Sequence, residues 1–375
     1  MVQYEWASGG INRWYTCRAA AYDDSLPMSL WIHRFQPRSL QELSYNRELT
    51  SNLEQLAKEE DFPHLLLYGP PGAGKQTRVA ALLQELFGPG TRRIKIEARV
   101  LDLGGSRKLE LNMVSSVYHV EITPAEAGNQ DRFVIQDLLK EIAQTQQVDQ
   151  NARHRYKVVV INDADQLSRD AQAALRRTME IYTANLRVVM IATSLSPIMG
   201  PIRSRTLLVR VPAPTVADIT GILAQVAADA HVPVDRPDEL YATIAHKSQR
   251  NLRRALLMLE AMYAQNERVS ASQAVPLSDW ESVIDAEAAE IVKTRSVQKL
   301  AEVRATNYEL LAHCIPPQIV LKTLLFAILA RVGAATAPRI IDAAAKFDHR
   351  LRLGNKHIFH IEGFIASVMN ILETR

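Results

Sequence analysis

Cysteine is nearly missing from this chain. Two occur in 375 residues, Cys17 and Cys314, far apart. That excludes a disulfide framework and a cysteine-based zinc site, and it suits a reducing compartment. Long apolar runs are missing as well. No stretch approaches the roughly 18 residues of a membrane-spanning helix, so the expectation is a soluble chain with no membrane partner. Charge of one sign is not in excess. The formal charge is +3, which neither demands nor excludes nucleic acid and leaves any basic surface local. His349, His357 and His360 lack the acid or cysteine spacing of a ligand set, so no metal site is expected. Internal repeats and low-complexity tracts are absent.

What is present is apolar content of 47% over a length that predicts two or three domains and a large core. Residues 1–27 stand apart, mixing aromatics and Arg with Gly-Gly, Glu5, Asp23 and Asp24. They lack the apolar core of a secretory signal and are too acidic for a transit peptide. The expectation is a disordered extension, with Met28 an alternative start. A helix is read over Leu40–Glu59 on the spacing of Leu49, Leu53 and Leu56. Strands are read over Arg93–Ala98 and Tyr118–Ile122 with a polar hairpin between, then a helix over Asp131–Gln147. Lys157–Ile161 carries four consecutive β-branched residues and reads as a buried strand. Ala171–Ile181 reads as a helix, Arg187–Ala192 and Thr206–Val211 as strands. Strands alternating with helices predict an α/β domain built on a parallel sheet. Pro212-Ala-Pro-Thr215 reads as a hinge, and no further strand is expected beyond it. The division expected is an α/β nucleotide-binding domain over 28–212, a helical lid over 213–272 and an all-helical domain over 273–375. Ile319, Leu321, Leu324, Leu325, Ile328 and Leu329 form an apolar stripe in the last of these.

The most informative stretch is Leu65–Thr77. A short apolar run ends in a glycine-rich turn, and a helical pattern follows. Gly69, Gly74 and Lys75 have the spacing G-x-x-x-x-G-K of a phosphate loop. There, bare N–H groups curl around nucleotide phosphates and the lysine reaches the outer ones. The candidate nucleotide contacts are Gly69, Pro70, Pro71, Gly72, Ala73, Gly74, Lys75, Gln76 and Thr77. The loop normally continues with Ser or Thr to bind magnesium, but Gln76 stands there and Thr77 comes one step late. A glycine-rich turn that binds nothing is the alternative. The partner acidic strand end is Val158–Asp165. A working site ends Asp-Glu-Ala-Asp, whereas here the magnesium aspartate is Asn162 and the catalytic glutamate is Asp163. A one-residue slip would restore an acid but lose the Ala-Asp match. An ordinary strand followed by a polar turn is the other reading. Two lost magnesium ligands predict a site that binds ATP or ADP, holds magnesium weakly or not at all, and turns over poorly. Pro201-Ile-Arg-Ser-Arg-Thr206 places an arginine where it can reach another protein's γ-phosphate.

Gly69–Lys75, Asn162–Asp165, Ala174-Leu-Arg-Arg-Thr-Met-Glu180, Pro201–Arg205 and Asn251-Leu-Arg-Arg-Ala255 occur in the order found in AAA+ clamp loaders. Leu30-Trp31, Phe62-Pro-His64 and Tyr308–Pro317 add a likeness to the small subunits of replication factor C. The chain resembles that family from about residue 30 to 375. The resemblance implies a hetero-pentamer of related replication factor C subunits that opens the ring-shaped clamp PCNA with ATP. The ring is loaded onto primer–template DNA in the nucleus, in replication and repair, and released on hydrolysis. It implies that ATP sits between neighbours and that Ser204 and Arg205 supply an arginine finger in trans, with Thr206 in place of a cysteine. The sensor asparagine falls on Thr193 and the second sensor arginine on Arg253. The base-side segment is Phe35-Gln36-Pro37. Arg107, Lys108, Arg176 and Arg177 are candidate phosphate contacts on DNA; Arg176 and Arg177 are alternatively nucleotide sensors at the subunit boundary, and a solvated charge or local salt bridge is the other reading for each. The last domain is implied to be one part of a helical collar.

Three functions stand at this point. One is a clamp-loader subunit that hydrolyses poorly and lends Arg205 to its neighbour. The second is a self-sufficient ATPase. The third is an assembly scaffold.

Overall fold

The computed structural model describes residues 29–59, 61–102, 108–144, 156–266, 268–276, 278–354 and 356–374. The N-terminal extension and Arg107 therefore lie outside the described residues. The strands of the large sheet are β1 Leu65–Tyr68, β2 Lys95–Asp102, β3 Lys108–Ser115, β4 His119–Ile122, β5 Lys157–Ile161, β6 Leu186–Ala192 and β7 Leu207–Arg210. Their order is β2-β3-β4-β5-β6-β1-β7. β4, β5, β6, β1 and β7 run parallel, in the register Leu65↔Val189 and Leu65↔Leu207 about the central strand. A parallel strand is covered on both faces, which is why β1, Val158–Ile161 of β5 and Val188–Ala192 of β6 read as apolar runs. Leu66, Val159, Ile161, Val188 and Met190 enter one core. Leu65, Leu67, Val158, Val160, Val189 and Ile191 enter the other. The helix Lys75–Phe87 closes the second face with Val79, Leu82 and Leu83. Each such side chain, taken out of water, contributes about 1.5–3 kcal/mol.

Four expectations are corrected. The sheet is mixed, because β2 and β3 pair antiparallel along eight residues and β3 pairs antiparallel with β4. The stretch expected as a polar hairpin is thus largely strand. Leu111 and Met113 are buried in alternation with exposed Glu110 and Asn112, a period-2 pattern. The first long helix is Arg47–Lys58 and not Leu40–Glu59. Asn46 is left-handed, with φ 53°, so the helix cannot extend back through it, and Leu40, Leu43 and Tyr45 are buried from a turn instead. The Asp131–Gln147 helix is observed as Asp131–Phe133, a π-helical turn Val134–Leu138 and Leu139–Gln144. Beyond the hinge a small parallel pair occurs, β8 Val234–Asp235 with β9 Val269–Ser270.

The chain separates into two compact units, one running to Val275 and the other Pro276–Arg375. In the first, helices Val216–Asp229, Pro237–Lys247 and Leu252–Gln265 share a core with Trp31. Thr215 and Asp218 form a capping box where the hinge becomes helix. Gln249 and Arg250 are both left-handed, φ 54° and 63°. Arg250 donates from Nε to the Pro214 carbonyl at 2.9 Å and from Nη2 to the Ala213 carbonyl at 2.9 Å. The second unit consists, among its described residues, of helices Asp279–Lys293, Val297–Ala312, Pro317–Leu329, Ala337–Leu353 and His357–Glu373 around one apolar core.

A polar pair sits in that helical core. Asn307 is fully buried, and its Nδ2 donates to Glu287 Oε1 at 2.7 Å and to the Val303 carbonyl at 2.9 Å. Glu287 Oε2 and Asn307 Oδ1 have no partner. Burial pushes the Glu287 carboxyl up to about 7, and Glu290 adds to the rise while Asn307 and Lys299 oppose it. A proton there converts one of two stranded acceptors into a donor. The folded value exceeds the unfolded one, so this stability is full below about pH 4.5 and is lost as pH rises through about 7. Hydrogen exchange in Asp279–Lys293 and Val297–Ala312 is expected to accelerate between pH 5.5 and 8 beyond the intrinsic rate, by about 2 kcal/mol of opening energy. Glu287→Gln is expected to flatten that dependence.

A second buried polar group backs the phosphate loop. Arg78 is 0% exposed in the Lys75–Phe87 helix. It donates from Nη1 to Thr50 Oγ1 and from Nη2 to the Tyr45 carbonyl, each at 2.8 Å, and lies 4.8 Å over the Tyr45 ring. The Tyr45 hydroxyl donates to the Ala73 carbonyl at 3.0 Å. Arg78→Met strands two acceptors and is expected to cost about 3 kcal/mol in chemical unfolding. Tyr45→Phe removes one hydrogen bond, about 1 kcal/mol, and is expected to weaken nucleotide binding more than it weakens the fold.

Candidate nucleotide site and exposed arginine

β1 delivers the chain into the loop Gly69–Gly74, and the loop's shape depends on what surrounds it. Gly72 and Gly74 are left-handed, with φ 72° and 74°. A Cβ on Gly72 would lie 1.8 Å from Asn251 Oδ1, and one on Gly74 would lie 2.1 Å from the Tyr45 hydroxyl. Neither conformation nor space admits a side chain. The lid also meets the loop directly, since Leu252 N donates to the Gly72 carbonyl at 3.3 Å. Asn251 caps its own helix by accepting from Arg254 N at 3.1 Å.

Lys75 is buried and its Nζ donates to the carbonyls of Gly69 at 2.6 Å and Pro70 at 3.0 Å. Burial pushes its pKa down, Asp165 and Asp163 pull it up, and Arg253 lowers it further. Those causes bring the loop lysine, the acidic strand end and the lid arginine into one electrostatic neighbourhood. Asn162 follows β5 directly and is half-buried; Asp163 is exposed and left-handed, φ 49°. Asp165 Oδ2 accepts from Thr193 N at 3.2 Å and from Thr193 Oγ1. Thr193 therefore ties the ends of β5 and β6 together. Pro70, Pro71, Ala73 and Gly74 complete the loop, with Ala73 buried.

Thr77 does not stand in for the missing hydroxyl. Its Oγ1 accepts from Gln36 Nε2 at 3.3 Å, on the N-terminal side. Gln76 and Asn162 thus offer amides, and Thr77 an engaged hydroxyl, where magnesium favours carboxylate oxygens.

The arginine candidate lies away from this cradle. Gln172 is buried, donates to the Leu167 carbonyl at 3.0 Å and the Pro197 carbonyl at 3.2 Å, and accepts from Met199 N at 2.8 Å. That fixes the start of the turn Gly200–Arg203. Thr206 is buried and donates to the Ile202 carbonyl at 3.2 Å. Between them Ser204 and Arg205 are exposed. Arg205 is 39% exposed, with Nη2 2.7 Å from Glu180 and Nη1 donating to the Pro201 carbonyl at 2.8 Å. Arg176 Nε stands 3.7 Å from the same Glu180 carboxylate, and Arg177 is exposed beside it. Lys108 opens β3.

Nothing in the sequence assigned Tyr45 or Glu121 a place here, Gln36 was read only with Phe35 and Pro37 as the base-side segment, and Glu180 only as the end of the Ala174–Glu180 motif. Glu180 was visible at i+4 from Arg176, the helical pairing distance. Glu121 had no local signal. It lies on β4 opposite Val160. Burial pushes its carboxyl up, and the Gln76 side chain opposes the rise.

Known proteins match this chain along its length. The family "Replication factor C subunit 3, C-terminal domain" matches residues 280–375, and "RCF1/5-like, AAA+ ATPase lid domain" matches 221–264. "DNA polymerase III, delta subunit" matches 45–215. Replication factor C subunit 5 of Neurospora crassa is 53% identical over 92% of this chain and 98% of its own length. Subunit 5 of Saccharomyces cerevisiae is 51% identical over 92% of this chain and 100% of its own. Replication factor C subunit 3 of Homo sapiens is 44% identical over 91% of this chain and 96% of its own. A central α/β sheet carrying a phosphate-loop turn, a lid of matching family, a helical C-terminal unit and relatives of this identity together place the chain in the replication factor C subunit 3/5 family of AAA+ proteins.

Proposed function

We propose that this chain is a small subunit of a clamp loader whose own nucleotide site is degenerate and whose Arg205 acts on ATP bound by its neighbour. In this reading residues 28–212 are the nucleotide-binding domain, 213–272 the lid and 273–375 the collar of a hetero-pentamer. The assembly opens PCNA with ATP and seats it on primer–template DNA in the nucleus. The observation that carries the reading is the contrast between the two cationic groups. Lys75 is buried against its own loop, whereas Arg205 is exposed on a short turn braced by Gln172 and Thr206. Glu180 and the Pro201 carbonyl hold the Arg205 guanidinium at that surface. A γ-phosphate with its developing charge is a stronger partner than one exposed carboxylate, a contact worth about 0–1 kcal/mol.

Lys75, the loop amides, Asp163, Thr193 and Arg253 are left to bind ATP or ADP in the chain's own site. The acid needed to activate water is shortened to Asp163 and magnesium's ligands are amides, so hydrolysis there is slow. Arg176 and Arg177 supply phosphate contacts to DNA on the same helix that carries Glu180.

In the reassembled complex Arg205→Ala is expected to slow hydrolysis at the facing site by about 10³-fold or more. Total clamp- and DNA-stimulated ATPase should fall by that site's share, and clamp loading should fall with it. Arg205→Lys should not restore it, because the ammonium lacks the planar fork. Unchanged stimulated ATPase would leave a scaffold as the better reading. The isolated chain is expected to release phosphate far below about one turnover per second, the low end of ordinary enzymes; a rate at that level would identify a self-sufficient ATPase.

A further inference from the structure

Glu180 stands where a helix has least use for an acid. It lies in the last turn of the helix Arg169–Ile181, and that turn carries no basic residue. The carbonyl end of a helix holds partial negative charge, so a carboxylate there opposes the helix. Glu180 is no core residue either, since its side chain is 42% exposed. It faces two guanidinium groups. Arg176 Nε, one turn back, is 3.7 Å away, beyond hydrogen-bonding distance. An arginine placed before a glutamate is also the poorer order for a helical pair. Arg205 Nη2, from a different element, is 2.7 Å away. The tight contact of this acid therefore reaches off its own helix.

Arg205 has a use for such a partner. Its backbone is settled: its N–H donates to the Ile202 carbonyl at 3.0 Å, and Thr206 beside it is buried. What remains free is a long, partly exposed side chain with large rotamer entropy to lose. Two firm contacts hold its head. Nη1 donates to the Pro201 carbonyl at 2.8 Å, and Nη2 meets Glu180. Pro201 belongs to the same turn and moves with it. Glu180 belongs to a separate helix that is itself tied down. Ser168, which caps that helix, donates to Asp131 from N at 2.7 Å and from Oγ at 2.8 Å, and Gln172 accepts from Met199 N at 2.8 Å. A planar guanidinium held at both terminal nitrogens has its plane fixed, and it carries more N–H groups than these contacts use. Two guanidinium groups against one carboxylate leave the cluster positive, so the brace does not cancel the charge it holds.

We propose that Glu180 is the positioning residue for Arg205. It sets the guanidinium plane before a neighbour's nucleotide arrives, so the arginine meets the γ-phosphate already oriented. Glu180 touches Arg205 and not the nucleotide. The inference rests on the reading of Arg205 as a group that acts in trans and adds the residue that aims it.

The test uses the reassembled complex with clamp and primer–template DNA. It reads kcat and KM for ATP, together with chemical unfolding of the full chain. The reference is the share of stimulated ATPase that Arg205→Ala removes. Within that share Glu180→Ala is expected to slow hydrolysis about tenfold, on the scale of the rotamer entropy an unbraced arginine must lose. KM should stay within about twofold. Unfolding should need the same denaturant concentration or a higher one, because the helix end loses an opposing charge. In the Arg205→Ala background, Glu180→Ala should lower the rate no further. Glu180→Lys suits the helix end and repels Arg205, so it is expected to keep the fold and lose at least as much rate. It carries the comparison if Glu180→Ala does not fold. Wild-type or faster hydrolysis in these variants, a loss carried by KM, a fold weakened in both, or a further fall in the double variant would overturn the positioning role while leaving Arg205 as the acting group. Stimulated ATPase that Arg205→Ala leaves unchanged would overturn both readings.

Discussion

Two glycines without room for a side chain determine much of this molecule. Gly72 and Gly74 are held left-handed between Asn251 of the lid and Tyr45 of the N-terminal segment. A strand, a turn and a helix would make the same local path in any phosphate loop. Here the path is also wedged from both sides, so three separate parts of the chain converge on six residues. Tyr45 donates to a loop carbonyl, Arg78 braces Tyr45 from behind, and Leu252 closes the roof. Anything that moves the lid must therefore disturb the loop, and the reverse holds as well.

Around this fixed point the charges divide into an inner and an outer set. Lys75, Asp163, Asp165 and Arg253 influence one another inside the cradle. Arg176, Glu180 and Arg205 form a line on the outer surface. The inner set has amide side chains at positions 76 and 162 beside it, and the outer set presents its arginines at the surface. The helix Arg169–Ile181 joins them: Ser168 caps it, Gln172 secures the turn before Arg205, and Glu180 receives the guanidinium.

Much of this was legible before any coordinates. The G-x-x-x-x-G-K spacing located the cradle because phosphate binding tolerates few alternatives. Apolar runs located β1, β5 and β6 because strands covered on both faces have no polar side. Other parts were hidden for physical reasons. β3 alternates cleanly, but its polar half resembled a loop. The spacing of Leu49, Leu53 and Leu56 marks the early helix but not its start, and Leu40 and Leu43 are buried from a turn before it. Asn46 gives no sign of its left-handed backbone in a single sequence. Arg107 lies outside the described residues, and of Lys108 only its place at the start of β3 is known.

Arg250 sets the conformation of the hinge. Two consecutive non-glycine residues in the left-handed region cost roughly 1 kcal/mol or more each. The second of them grips two main-chain carbonyls of the Pro-Ala-Pro linker. Because it grips backbone, the hold does not depend on the linker's own side chains. A swivel of the lid would have to let go of both carbonyls at once, and the kinked turn would then relax. The latch and the spring are thus the same two residues.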